Sequence, residues 1–334
     1  MPRRAVVAAA GAPARFLWIG GDRDGAGFDR ALEEALALEA SGESQLSPAA
    51  RAPVAPAWPR ERYLASARRI LEHIAAGDVY QANLSQPFDA RGVGDPLEVH
   101  RRLLRDHPTP FAGYLGFGER AIVSASPELF LRRRGARLET RPIKGTRPRV
   151  GDAAADRVAM AELESSEKDR AELAMIVDLE RNDLSRVCRA GSVRVALARA
   201  IETYATVFHA VAAVEGELRP DAALLDILAA TFPSGSITGC PKIRAMEILH
   251  DLEREPRGPC FGAIGWIGYD GNFDLNVAIR TVSFLREHGD WNATFRTGGG
   301  IVAESQAEIE YQESFVKALA LARALGVPHF SADG

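Results

Sequence analysis

Cysteine is scarce in this chain of 334 residues: Cys188, Cys240 and Cys260 stand far apart and in no metal-ligand spacing. That argues against a disulfide scaffold and fits a reducing cytosol. Long apolar runs are also missing, since no stretch approaches the roughly 20 residues a membrane-spanning helix needs. Nor does one sign of charge dominate. With 41 basic and 45 acidic residues the formal net charge is -4, which offers no electrostatic footprint for nucleic acid or an anionic membrane. Small molecules or proteins are the expected partners. The start, Met1-Pro2-Arg3-Arg4 followed by Ala5 to Ala10, has the charge of a signal peptide but only a short, mostly alanine apolar run, so a non-targeting start and a cytoplasmic protein are expected. What the chain does have is 46% hydrophobic and 26% charged residues, enough to bury a substantial core.

Residues 1–40 hold one short apolar run, Phe16 to Ile19, and one helix-like stretch, Phe28 to Leu38, which is little material for an independent domain. Residues 41–59 carry Pro48, Pro53, Pro56 and Pro59 among serine and alanine, and read as a linker. A dense pattern follows, expected to form one domain over residues 60–326 with a tail at 327–334. Tyr63, Ala67, Ile70, Leu71 and Ile74 recur at helical spacing, and Gly77 is placed to end that helix. Val79 to Ser85 reads as a strand with Gln81, Asn83 and Ser85 on one face. Further strands are expected at Phe111 to Phe117, Ala121 to Ser126, Arg137 to Ile143, Cys260 to Tyr269, Leu275 to Val282 and Asn292 to Arg296. Helices are expected at Asp156 to Glu180, Asp221 to Ala230, Cys240 to Arg254 and Ala307 to Leu325. Strands in runs with helices between them, without strict alternation, favour an α+β fold.

Several segments carry chemistry. In Arg141-Pro-Ile-Lys-Gly-Thr146 a lysine, Lys144, ends an apolar strand beside a glycine. Its pKa could be lowered there, making it a nucleophile; taken alone, a surface lysine in a basic turn with Arg147 and Arg149 is the commoner reading. Glu128, behind Pro127 and next to Leu129 and Phe130, reads either as a general acid raised by apolar surroundings or as a loop glutamate. Asp169 with Glu172, and Glu310 with Glu313, each sit three residues apart on one helix face. Such oxygen-rich pairs suit a hard cation such as magnesium, though a solvated face is the default for either helix. Lys317, four residues beyond Glu313, could pair with it or reach a substrate carboxylate. Two glycine-rich loops, Ser234 to Lys242 and Gly298 to Val302, could bind anions through backbone amides. Neither matches a P-loop or a dinucleotide fingerprint.

Taken in order, Gly77-Asp-Val-Tyr-Gln-Ala-Asn-Leu-Ser85, Ser126-Pro-Glu128, Pro142-Ile-Lys-Gly-Thr146, Lys168-Asp-Arg-Ala-Glu172, Ile176-Val-Asp-Leu-Glu-Arg-Asn-Asp183, Gly235-Ser-Ile-Thr-Gly239 and Gly299-Gly-Ile-Val-Ala-Glu-Ser305 resemble the chorismate-utilising enzymes. That family includes anthranilate synthase, isochorismate synthase, salicylate synthase and aminodeoxychorismate synthase component I. The resemblance implies an anthranilate-synthase-like α+β fold, a two-sheet β-sandwich with helices packed outside and the site in the cleft between sheets. It implies magnesium held by Glu172 and Glu313, with Asp169 and Glu310 behind them, anchoring the ring carboxylate of chorismate. Glu128 resembles the general acid for the departing 4-hydroxyl, and His209 the active-site histidine, with a core histidine as its fallback. Arg280, Lys317 and the amides of Gly298, Gly299 and Gly300 resemble the grip on the substrate's carboxylates; Gly145, Thr146 and Thr238 lie in matched segments expected to line the substrate.

Within the family, members that add water carry a lysine base where this chain has Gln81, and anthranilate synthases usually carry alanine where it has Lys144. The lysine resembles the mark of the members that aminate chorismate at C4. The resemblance implies that it attacks C2, expels the 4-hydroxyl, and is displaced as ammonia adds at C4. Full-length members have a longer first half with a tryptophan pocket, for which only about Met1 to Glu39 could substitute here. No glutaminase signature occurs, so ammonia is expected from a separate glutamine amidotransferase subunit or from solution. The alternatives are an anthranilate or 2-amino-2-deoxyisochorismate synthase, and a degenerate regulatory member.

Overall fold

A computed structural model describes residues 5–7, 15–17, 53–327 and 330–332. The helix-like stretch Phe28 to Leu38 and most of the 41–59 segment lie outside the described residues. The strands are β1 (Ala5–Val7), β2 (Arg15–Leu17), β3 (Ala55–Pro56), β4 (Gln81–Val93), β5 (Phe111–Gly116), β6 (Arg120–Ser126), β7 (Leu129–Arg134), β8 (Arg137–Arg141), β9 (Ile143–Pro148), β10 (Arg194–Thr203), β11 (Val207–Glu217), β12 (Gly239–Cys240), β13 (Ala263–Ile267), β14 (Phe273–Val277), β15 (Thr281–Glu287) and β16 (Asp290–Ile301). The helices are α1 (Arg60–Ala75), α2 (Pro96–Asp106), α3 (Ala153–Ser165), α4 (Glu167–Ser185), α5 (Leu224–Thr231), α6 (Lys242–Glu253) and α7 (Ala307–Ala324).

Two seven-stranded antiparallel sheets organise these elements. One runs β12-β4-β16-β15-β6-β5 with β3 added to β4; the other runs β10-β11-β8-β7-β14-β13 with β9 added to β11. Each sheet carries its own apolar layer. Phe88, Phe284 and Phe295 of the first pack with Tyr63, Leu103, Ile248 and Phe315 of α1, α2, α6 and α7. Leu131, Leu138, Val214 and Phe273 of the second pack with Leu173, Val177 and Ile227 of α4 and α5. Leu163 of α3 covers Phe208 and Ala210. The helices thus lie outside the sheets, the expected α+β sandwich. Among the described residues no helix is long and apolar enough to cross a membrane.

Differences from the expected elements have local causes. The helix expected over Asp156 to Glu180 is two helices, because Ser166 turns extended and caps α4 by accepting from Asp169 N at 3.2 Å. The strand expected over Arg137 to Ile143 breaks at Pro142, which has no N–H for the ladder. That over Leu275 to Val282 breaks where Arg280 takes φ 48°. Strand β11 is buried almost end to end, so the two-residue alternation that would reveal it is missing. Residues 53–59, read as the end of a linker, belong to the fold: β3 pairs with β4, and Trp58 is buried.

One buried ion cluster fixes β4 to α6. The Glu253 carboxylate accepts from Ser85 N at 3.0 Å and Oγ at 2.9 Å, pairs with Arg257 at 2.8 Å and lies 3.3 Å from Arg296. Arg296 is only 4% exposed. Removing the carboxylate would leave that buried guanidinium with only Glu255, 3.8 Å away, as a counter-charge, so Glu253→Ala should lower unfolding stability by about 3 kcal/mol in a urea titration. An unchanged midpoint would show the cluster to be incidental.

Candidate active site

The two sheets meet at the turn Ser234–Gly239. Ser234 Oγ accepts from Ser236 N at 3.2 Å, and Thr238 Oγ1 donates back to Ser234 O at 3.0 Å, which closes the turn on itself. The outward-facing Ser236 carbonyl then accepts from both sheets: Asn83 Nδ2 of β4 at 2.8 Å and Lys144 Nζ of β9 at 3.0 Å. Arg257 adds a second clamp, donating to Asn83 O at 2.7 Å and Ile237 O at 2.9 Å.

Around Lys144 burial dominates the electrostatics. It pushes the Glu128 carboxyl up from the usual range, opposed by Lys144, Ser236 and the Ile143 backbone. It pushes the Lys144 amine down, opposed by Glu128, Glu172 and Glu313. Both shifts favour the uncharged forms. Glu128 Oε1 is buried with no hydrogen-bond partner. His209, 2% exposed on β11, meets Thr146 Oγ1 through Nδ1 at 2.8 Å, while its Nε2 is unpartnered. Burial, with Arg280 adding to it, holds the imidazole neutral, its pKa pushed down to about 3. Arg280 is a non-glycine residue in the left-handed region, a strained conformation retained most often at functional sites. Burial depresses its guanidinium as well.

Gln81, at the start of β4, is fully buried with both amide atoms unpartnered. It lies against Gly300, where an added Cβ would fall 1.8 Å from its Nε2. The absent side chain of Gly300 is what admits Gln81. On the preceding residue a Cβ at Gly299 would lie 3.1 Å from Glu310 Oε2, 3.4 Å from Lys317 Nζ and 3.7 Å from Glu313 Oε1. Glycine there lets β16 approach the charged face of α7.

The carboxylates of α4 and α7 are drawn together with lysines between them. Lys168 Nζ is 3.9 Å from both Glu172 and Glu310, and Ser305 Oγ donates to Glu310 at 2.6 Å. Burial raises Glu172 and Glu310, and neighbouring carboxylates add to it. For Glu313 burial works upward too, but Lys317 at 2.6 Å and the other lysines win and hold it low. Lys317 also donates to Gly298 O at 3.0 Å. Asp169 pairs with Arg147 at 3.2 Å and packs on Gly145. Among the described residues no three acidic, His or Cys side chains converge tightly enough to enclose a metal. The donor set is nevertheless all oxygen, repels itself, and holds an ammonium between its halves, all of which suit a hard cation.

Lys144, Glu128, Glu172, Glu313 and Lys317 therefore form one electrostatic neighbourhood. Gly145 and Thr146 adjoin it through β9. Thr238 is placed differently, its hydroxyl spent inside its own turn. Ser236 and Glu180 were not singled out in the sequence, and Asn83 was read only as one of three polar residues on a strand face. Ser236 and Asn83 lie within quoted motifs, but the decisive group of Ser236 is a backbone carbonyl, which carries no residue signature. Glu180 Oε1 accepts from Ser234 Oγ and Gly235 N, both at 3.1 Å.

A sandwich whose cleft sets a half-buried lysine amine against a buried acid, beside oxygen-rich helices, defines the class. The chain belongs to the chorismate binding enzyme family, matched over residues 23–323. It is 42% identical to aminodeoxychorismate synthase component 1 of Klebsiella aerogenes over 280 residues, 82% of this chain and 61% of that protein. It is equally 42% identical to anthranilate synthase component 1 of Aquifex aeolicus over 274 residues, 82% of this chain and 55% of that protein. The crystal structure of anthranilate synthase component I from Streptococcus pneumoniae superimposes with a TM-score of 0.77 at 32% identity, covering 92% of this chain and 70% of that one. The chain spans little more than half the length of the curated relatives it matches.

Glu180 makes stability depend on pH. Burial, helped by Asp183 and opposed by Lys242, pushes its carboxyl up to about 7. A raised folded pKa means that its stabilising contribution is full below the unfolded value and lost as pH rises through about 7. The Tm of Glu180→Gln should therefore gain on that of the wild type between about pH 6 and pH 8; a constant difference would contradict the shift.

Proposed function

We propose that this chain aminates chorismate at C4, forming 4-amino-4-deoxychorismate, the precursor of p-aminobenzoate. The observation that carries this reading is the Lys144 amine, held at 3.0 Å by the Ser236 carbonyl opposite buried Glu128. Sequence identity does not separate the aminating reactions, since both named relatives are 42% identical. A nucleophilic amine does separate them.

In this reading neutral Lys144 attacks C2 of chorismate, the ring double bonds shift, and the C4 hydroxyl leaves as water with a proton from Glu128. Ammonia then adds at C4 as the lysine leaves C2, so the net exchange is hydroxyl for amine. Two allylic steps replace one difficult substitution. Gln81 has no basic nitrogen and activates no water. Its orphaned amide, the unpartnered Nε2 of His209 and the free-facing guanidinium of Arg280 are left for substrate oxygens, with Gly298, Gly299, Gly300, Gly145 and Thr146 lining the cleft. Magnesium on Glu172 and Glu313, backed by Asp169 and Glu310, would supply a positive anchor for the ring carboxylate.

The relatives are named as component 1, which supports a partner subunit; a glutamine amidotransferase supplying ammonia fits the chemistry. The three described thiols are free, in keeping with a cytoplasmic setting.

Purified chain incubated with chorismate, magnesium and ammonium should yield the C4 amine by mass spectrometry, and excess chelator should abolish turnover. Glu128→Gln should slow it about 10²–10⁴-fold, as loss of a general acid does, and Lys144→Ala should lose C4 amination. Anthranilate or a C2 amine as the main wild-type product would favour the alternative synthases.

A further inference from the structure

Glu180 is a buried acid for which the reaction above has no use. It projects from the middle of α4, is 0% exposed, and has no apolar reason to be there. Its Oε1 accepts from Ser234 Oγ and Gly235 N at 3.1 Å each, while its Oε2 has no partner. The groups that face it are Asp183 on its own helix, Lys242 of α6 and Glu128 beside β7. Lys242 is occupied, bonding Asp183 at 2.5 Å, Thr231 O at 2.8 Å and Pro233 O at 2.7 Å. Glu180 is thus held by the turn alone.

We propose that Glu180 is a positioning residue for Lys144: its Oε1 pins Ser234 and Gly235 so that the next carbonyl, that of Ser236, stays aimed at the lysine amine. The chain of contacts is unbroken, from Glu180 to the Ser234–Gly235 backbone, through Ser236 O, to Lys144 Nζ. Oε1 can accept in either ionisation state, so the geometry survives titration near neutrality. An apolar side chain would leave the Gly235 N–H buried without an acceptor, a loss that typically lets a turn shift or open. Ser236 also acts on Glu128, opposing the rise of its carboxyl, so the same turn bears on both acid and amine. The role matters for catalysis only if Lys144 is the nucleophile proposed above, but the positioning itself can be measured without chorismate.

The experiment is competitive trace labelling of the whole chain with acetic anhydride, reading Lys144 against exposed Lys168 by peptide mass spectrometry. It is run across pH, well below each variant's Tm. Glu180→Leu should change the Lys144 to Lys168 ratio, or shift its pH midpoint, by at least about threefold, equivalent to half a pKa unit. Glu180→Gln, which keeps an acceptor oxygen, should restore the ratio to within about twofold of wild type. If the leucine variant does not fold, Ser234→Ala removes one of the two donors and carries the same comparison. A Lys144 profile that coincides with wild type in the leucine or alanine variant would overturn the proposal, as would a glutamine variant no closer to wild type than leucine. Failure to make the C4 amine would overturn only the reaction assignment, because labelling uses no substrate.

Discussion

The Ser236 carbonyl is the point on which the site depends. It accepts from Asn83 Nδ2 of the first sheet at 2.8 Å and from Lys144 Nζ of the second at 3.0 Å. Each sheet has a separate apolar layer and separate covering helices, so either could be built without the other. What makes the cleft a site is that a single turn, closed internally by Ser234 and Thr238 and clamped by Arg257 and Glu180, offers one oxygen to both. The glycines of β16 play the matching part on the other wall, bringing Gln81 and the α7 carboxylates close to the backbone.

Burial then does the electrostatic work. The same desolvation that raises Glu128 lowers Lys144, so both shifts favour the uncharged forms. The roles proposed for Glu128 and Lys144 thus rest on one cause. Had the pair been exposed, each would hold its ordinary charge and the lysine would be a poor nucleophile. The α4 and α7 carboxylates Glu172 and Glu313 oppose that lowering of the lysine.

Much of this was legible in the sequence, and the remainder was hidden for definite reasons. The α1 helix, its Gly77 end, and the strands around Phe111 to Ser126 follow from periodicity. The roles expected of Lys144, Glu128, Glu172 and Glu313 came from ordered motifs, and the fold collects them in one region. Strand β11, which carries His209, was invisible because burial on both faces erases alternation. Ser166 and Pro142 broke expected elements at places where capping and a missing N–H compete with pattern. The Ser236 carbonyl could not be read, since any residue supplies one, and Thr238, which the motif put at the substrate, is turned inward to hold that carbonyl in place.

The central claim is that Lys144 bonds covalently to the substrate. With ammonia withheld, so that nothing displaces the lysine, peptide mass mapping of the unmutated chain after brief exposure to chorismate and magnesium tests it directly. The account predicts an added mass of chorismate less one water, confined to the peptide carrying Lys144. An unmodified Lys144 peptide, with a Lys144→Ala variant that still forms the C4 amine at the wild-type rate, would contradict it.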